Sequence, residues 1–139
     1  MPQPGMIEFK EVEKPTLKNP EEVLLHIKKI GVCGSDIHVY HGLHPFTPYP
    51  VVQGHEYSGE VVQVGQNVTK VKVGDKATAR PQLVCGACAP CKRGDYNICN
   101  ELKVQGFQSG GTAQDYFVLP EDRLIKIPDH VTYEMGALV

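Results

Sequence analysis

Four cysteines, Cys85, Cys88, Cys91 and Cys99, follow the pattern C-x2-C-x2-C-x7-C. A tetrahedral zinc ion takes four soft ligands at about 2.3 Å, and x2 loops let neighbouring thiolates converge on one point while backbone amides turn toward the sulfurs. Gly86 and Gly94 supply the tight turns this needs. A site closed by four thiolates has no open coordination position, so it stabilises a fold and does no chemistry. Two other readings exist. The first three cysteines also fit the start of a ferredoxin-type iron–sulfur run, although the fourth follows seven residues later and is succeeded by Asn100. The plainest reading is four thiols, free or disulfide-bonded.

A second group is more dispersed. Cys33 lies in G-V-C-G-S-D-I-H, and Gly54-His55-Glu56 follows some twenty residues later. Taken singly, a cysteine is most often a small buried hydrophobe and a histidine a satisfied polar residue. A thiolate and an imidazole are both ligand types that zinc accepts, but nothing in this spacing alone pairs Cys33 with His55. Successive residues of an extended strand point to opposite faces, so His55 and Glu56 converge on one metal only if the chain bends there. Ser35 and His38, three apart, share a face if they lie on one helical turn. Ser35 or Asp36 would also serve as a cap of that turn. His26, His41, His44 and His130 have no spacing that demands a function.

These residues need elements to position them. Glu22 to Ile30 alternates, with Val23, Leu25 and Ile27 on one face, and predicts a strand. Residues 35 to 40 predict a single helical turn, and the proline-rich stretch from His41 to Val52 predicts a loop. Strands are expected from Glu56 to Val64, around Ala77 to Arg80, from Gln114 to Leu119 and from Arg123 to Ile127, and a helix is expected to start at Thr132. The excursion from Leu83 to Lys103 has little apolar content and would be hard to order without a staple. The 14 glycines and 11 prolines are spread along the chain, which suits many short strands in an all-β barrel or sandwich.

The chain's 139 residues suit one domain. With 41% apolar and 22% charged residues and a formal net charge of −2, the profile gives no reason to expect a nucleic-acid partner. No apolar run approaches the roughly 20 residues of a membrane span, and the first residues lack a secretory pattern. The expected location is the cytoplasm, where clustered cysteines bind metal more readily than they cross-link.

The order C-G-S-D-x-H, G-H-E, G-D-K, then C-x2-C-x2-C-x7-C resembles the zinc-dependent medium-chain alcohol and polyol dehydrogenases. The likeness runs from Val23 to Val139, and within the family it is nearest the sorbitol, threonine and butanediol dehydrogenase branch. The resemblance implies a GroES-like β-barrel with a structural zinc lobe and short helices. It also implies two zinc ions, one structural and one catalytic, and hydride transfer from an alcohol or polyol to NAD or NADP. Cys33 and His55 match two ligands of the catalytic zinc, and Glu56 matches a residue beside it that is a ligand or an exchanging neighbour. Ser35 and His38 match a proton relay, and Asp36 matches the carboxylate that orients the zinc-bound histidine. No G-x-G-x-x-G follows a strand. A Rossmann domain and one further zinc ligand are therefore expected beyond Val139, in a full-length homo-oligomer. A stand-alone zinc-stabilised binding module without catalytic activity is the alternative from another class.

Overall fold

The computed structural model describes residues 1–139. Seven strands and three short helices follow one another along the chain: β1 (Glu22–Ile30), α1 (Gly34–Tyr40), β2 (Tyr57–Val64), β3 (Lys76–Ala79), β4 (Gln82–Leu83), α2 (Ala89–Arg93), β5 (Lys103–Val104), β6 (Tyr116–Pro120), β7 (Leu124–Lys126) and α3 (Tyr133–Gly136). The mainly β expectation holds, with each predicted strand present within a residue or two of its expected bounds. Five strands form one sheet in the order β6-β1-β2-β3-β7, and all of its pairs are antiparallel. The edge strands β6 and β7 are not hydrogen-bonded to each other, so no continuous ladder closes the expected barrel. β4 and β5 form a separate two-stranded ribbon at the base of the cysteine-rich excursion.

One face of the sheet builds the main core. Val23 and Leu25 of β1, Tyr57 and Val61 of β2, Ala77 and Ala79 of β3 and Leu119 of β6 are buried together with Val71, and Ile27 packs against them. Leu24 is also buried, although strict alternation would put it on the opposite face from Val23 and Leu25. The β1–β2 register shifts between Leu24 and Leu25, and such a bulge disrupts the ladder and re-aims side chains locally.

A smaller core of Val39, Val51 and Phe107 lies away from this sheet. It ties α1 to the proline-rich loop and to the segment after β5. Phe107 of this second cluster packs against His55, and the ends of β1 and β2 meet beside it, the Gly31 N–H donating to Glu56 O at 2.8 Å. Thr132 begins α3 as expected, its hydroxyl accepting the Met135 N–H at 3.2 Å. No helix is long and apolar enough to cross a membrane.

Candidate functional site

The four cysteines of the excursion converge, with one sulfur from each within 4.8 Å of all the others and no disulfide among them. Helix α2 starts from Cys88 with Pro90 in its first turn and ends at Gly94 in the left-handed conformation, at φ 86°. Gly86 likewise has a positive φ of 70°. These turns aim amides at sulfur. The Cys85 N–H donates to Cys99 Sγ (3.3 Å), the Cys88 N–H to Cys85 Sγ (3.4 Å) and the Glu101 N–H to Cys99 Sγ (3.4 Å).

Such donors favour the charged form of the acceptor. The backbone amides of Asn100 and Cys91 hold the Cys88 thiol down at about 6. The amide of Cys85 lowers the Cys99 thiol, whereas burial pushes Cys91 up to about 12. Four converging sulfurs, some already favoured as thiolates and none in a disulfide, suit a soft cation that neutralises them together.

The second group is assembled from distant parts of the chain. Cys33 sits at the junction of β1 and α1, and His55 and Glu56 lie just before β2. One ligand atom from each lies within 4.8 Å of the other two. The bend that adjacent ligands require is present at Glu56, immediately before the strand begins. Gly31 makes room for it, since a Cβ at that position would lie 2.6 Å from Glu56 Oε2.

Helix α1 brings two more expected residues to the group. Asp36 is buried, and its Oδ2 accepts the Cys33 N–H at 2.9 Å, which makes Cys33 the capped residue at the helix start in place of Ser35 or Asp36. Its Oδ1 lies 3.7 Å from His55 Nδ1. Asp36 therefore does both things the sequence left open: it caps the turn and it faces the histidine. Ser35 Oγ is 3.5 Å from His55 Nε2. His38 is exposed on the same helix, and no hydrogen bond joins it to Ser35.

His55 Nδ1 is buried without a hydrogen-bond partner. A proton on Nδ1 would point at the Asp36 carboxylate and leave the Nε2 lone pair for a metal, the arrangement a ligating imidazole requires. The donor set of thiol, imidazole and carboxylate is likewise one that zinc accepts.

Several residues that sequence reasoning passed over complete the surroundings. The Phe107 ring lies 4.8 Å from that of His55, and the His44 ring stacks on Phe107 at 4.5 Å. Thr47 Oγ1 sits 2.7 Å from His44 Nδ1, which fixes this loop histidine against Phe107. Gly111 lies so close to the Gln53 carbonyl that any side chain there would overlap it. The Ala113 N–H donates to that same carbonyl at 2.8 Å, and the Thr112 N–H donates to Gly54 O at 2.9 Å. Nothing local in the sequence marks Phe107, whereas the Gly110-Gly111 pair is a visible sign of close backbone approach.

A four-cysteine cluster and a separate Cys/His/Glu group, attached to an antiparallel sheet, define a zinc-binding type of domain. Residues 19–129 match the alcohol dehydrogenase GroES-like domain, and the chain belongs to that family. It is 44% identical over 119 residues to the D-arabitol-phosphate dehydrogenase of Enterococcus avium, covering 85% of this chain and 34% of that protein. Among solved structures, galactitol-1-phosphate dehydrogenase from Escherichia coli superimposes with a TM-score of 0.90 at 29% identity, over 97% of this chain and 39% of that one. A zinc-binding dehydrogenase from Sinorhizobium meliloti, bound to NADP, gives a TM-score of 0.88 at 33% identity, over 99% and 40%. The chain thus spans between about a third and two fifths of the length of these relatives, and its fold is GroES-like.

Proposed function

We propose that this domain is the catalytic, zinc-binding part of an oxidoreductase that oxidises an alcohol or polyol by hydride transfer to NAD or NADP. The observation that carries the reading is the meeting of Cys33, His55 and Glu56 within 4.8 Å in a chain of this family. Those three residues would hold a catalytic zinc, and Cys85, Cys88, Cys91 and Cys99 a structural one. Zinc at the first site would supply Lewis acidity toward a substrate hydroxyl, lowering its pKa.

The chain's own residues then have distinct tasks. Asp36 holds the Cys33 backbone and the His55 ring in one arrangement through its two carboxylate oxygens. Ser35 Oγ, beside His55 Nε2, would accept the proton of the substrate hydroxyl. His38, exposed three residues along the same helix, would carry that proton to solvent. Because no hydrogen bond links the two, a water or substrate oxygen would bridge them. The Phe107 ring, packed against His55 and backed by His44, lines one side of the site.

The reading extends to a cytoplasmic, homo-oligomeric protein in which a Rossmann domain carries the nicotinamide cofactor, with no nucleic-acid or membrane partner. A stand-alone binding module is not favoured, since the relatives described above are dehydrogenases. The test is NAD(P)H formation by a zinc-loaded longer protein carrying this domain, offered a panel of diols, polyols and polyol phosphates. Cys33→Ser should abolish turnover on every substrate that the parent oxidises. A Cys33→Ser protein that kept the parent rate would overturn the proposal.

A further inference from the structure

We infer that Gln53 is a positioning residue of the Cys33–His55–Glu56 centre, acting through Asp36; the inference rests on the metal-centre reading above. The Asp36 carboxylate has two tasks that pull on different oxygens. Oδ2 accepts the Cys33 N–H at 2.9 Å, and Oδ1 faces His55 Nδ1 at 3.7 Å. Asp36 is 8% exposed, so bulk water does little to fix the second oxygen. Gln53 does so from the opposite side of the group. Its Nε2 donates to the Asp36 backbone carbonyl at 3.0 Å and reaches Oδ1 at 3.4 Å.

Gln53 is itself clamped. Its backbone carbonyl, two residues ahead of His55 in the chain, accepts the Ala113 N–H at 2.8 Å and packs on Gly111. One residue therefore fixes both partners of the Asp36–His55 contact, the carboxylate through its side chain and the histidine through its backbone. The amide is also the right chemistry for the task. A cation in its place would compete with His55 for the Asp36 charge, and an apolar side chain would remove the amide donor from Oδ1 and from the Asp36 carbonyl. The neutral N–H donor orients the carboxylate and leaves its charge for the imidazole.

The test is a cobalt(II) titration of the longer protein carrying this domain, followed by absorption, with Gln53→Met, Asp36→Asn and the double variant compared with wild type. Residues that orient a metal ligand are typically worth about 10–100-fold in metal affinity. Gln53→Met should weaken cobalt binding at the Cys33 centre by about tenfold, at the low end of that range, and leave the four-thiolate bands unchanged. Because Gln53 acts through Asp36, the double variant should bind no more weakly than Asp36→Asn alone. Gln53→Glu keeps the shape of the native side chain but has no donor, and it should lose at least as much affinity as Gln53→Met. Wild-type affinity in both Gln53 variants, or additive losses in the double variant, would overturn the inference. Failure of wild type to bind cobalt at Cys33 would instead overturn the metal-centre reading on which it rests.

Discussion

The two cysteine-bearing regions of this molecule reach metal-ligand geometry by opposite routes. In the excursion, all four ligands lie within one short stretch, and turns at Gly86 and Gly94 with N–H···S bonds gather them. The stretch has almost no core of its own, with Tyr96 at 44% and Ile98 at 56% exposure. At the second group, Cys33 is separated from His55 and Glu56 by a helix and a proline-rich loop. That group depends on the tertiary contacts of Asp36, Gln53, Phe107 and Gly111. On the proposed reading, a metal would order the first region, whereas in the second the fold itself gathers the ligands.

The comparison breaks most visibly if the lobe is stripped of a ligand. Metal binding to such small thiolate sites is worth about 10–16 kcal/mol in isolated peptides, far more than this lobe's own packing can supply. Cys91→Ser should leave residues 85–99 without hydrogen-exchange protection while the sheet from β1 to β3 stays protected. Protection of the lobe that persisted in this variant would show that it folds without its ion. His55→Ala should do the reverse, removing the metal of the second group and all turnover of the longer enzyme while sparing the lobe's protection.

An intermediate effect is expected at Gly111. A side chain there meets the Gln53 backbone, and overpacking of this kind costs about 1–3 kcal/mol. Gly111→Ala should lower the midpoint of denaturant unfolding and weaken metal binding at His55, with four-thiolate binding unchanged. Equal weakening at both sites would mean that the two regions are not independent.

The smallest effects belong to the proton path. His38→Ala should slow turnover by less than the ~10²–10⁴-fold of a full general base, because water can replace an exposed ring. Ser35→Ala, beside His55, should slow it as much or more, and the double variant should be far from additive because the two serve one path. The pH profile of hydride transfer in zinc-loaded enzyme checks this. Wild-type rates in both single variants would return Ser35 and His38 to ordinary helix residues.

The same contrast explains what the sequence could reveal. Ligands that lie close along the chain leave a spacing pattern, so the four-cysteine lobe and its turn glycines were legible directly. Cys33 and His55 were legible only through their order relative to the other motifs. Alternation in β1 showed the core face at Val23 and Leu25, but not the bulge that buries Leu24, because a bulge is set by pairing with β2. Barrel closure could not be read from strand patterns either, since it depends on whether β6 and β7 meet. Gln53, His44 and Phe107 were invisible as site residues, because their roles arise from contacts across the fold.

Metal analysis of wild-type protein against Cys33→Ser, with an absorption spectrum of each, tests the central claim most directly. Two zinc equivalents and no visible bands in wild type, falling to one in Cys33→Ser, are the expected result. Stoichiometric iron with charge-transfer bands, or a zinc content that Cys33→Ser left unchanged, would contradict the account.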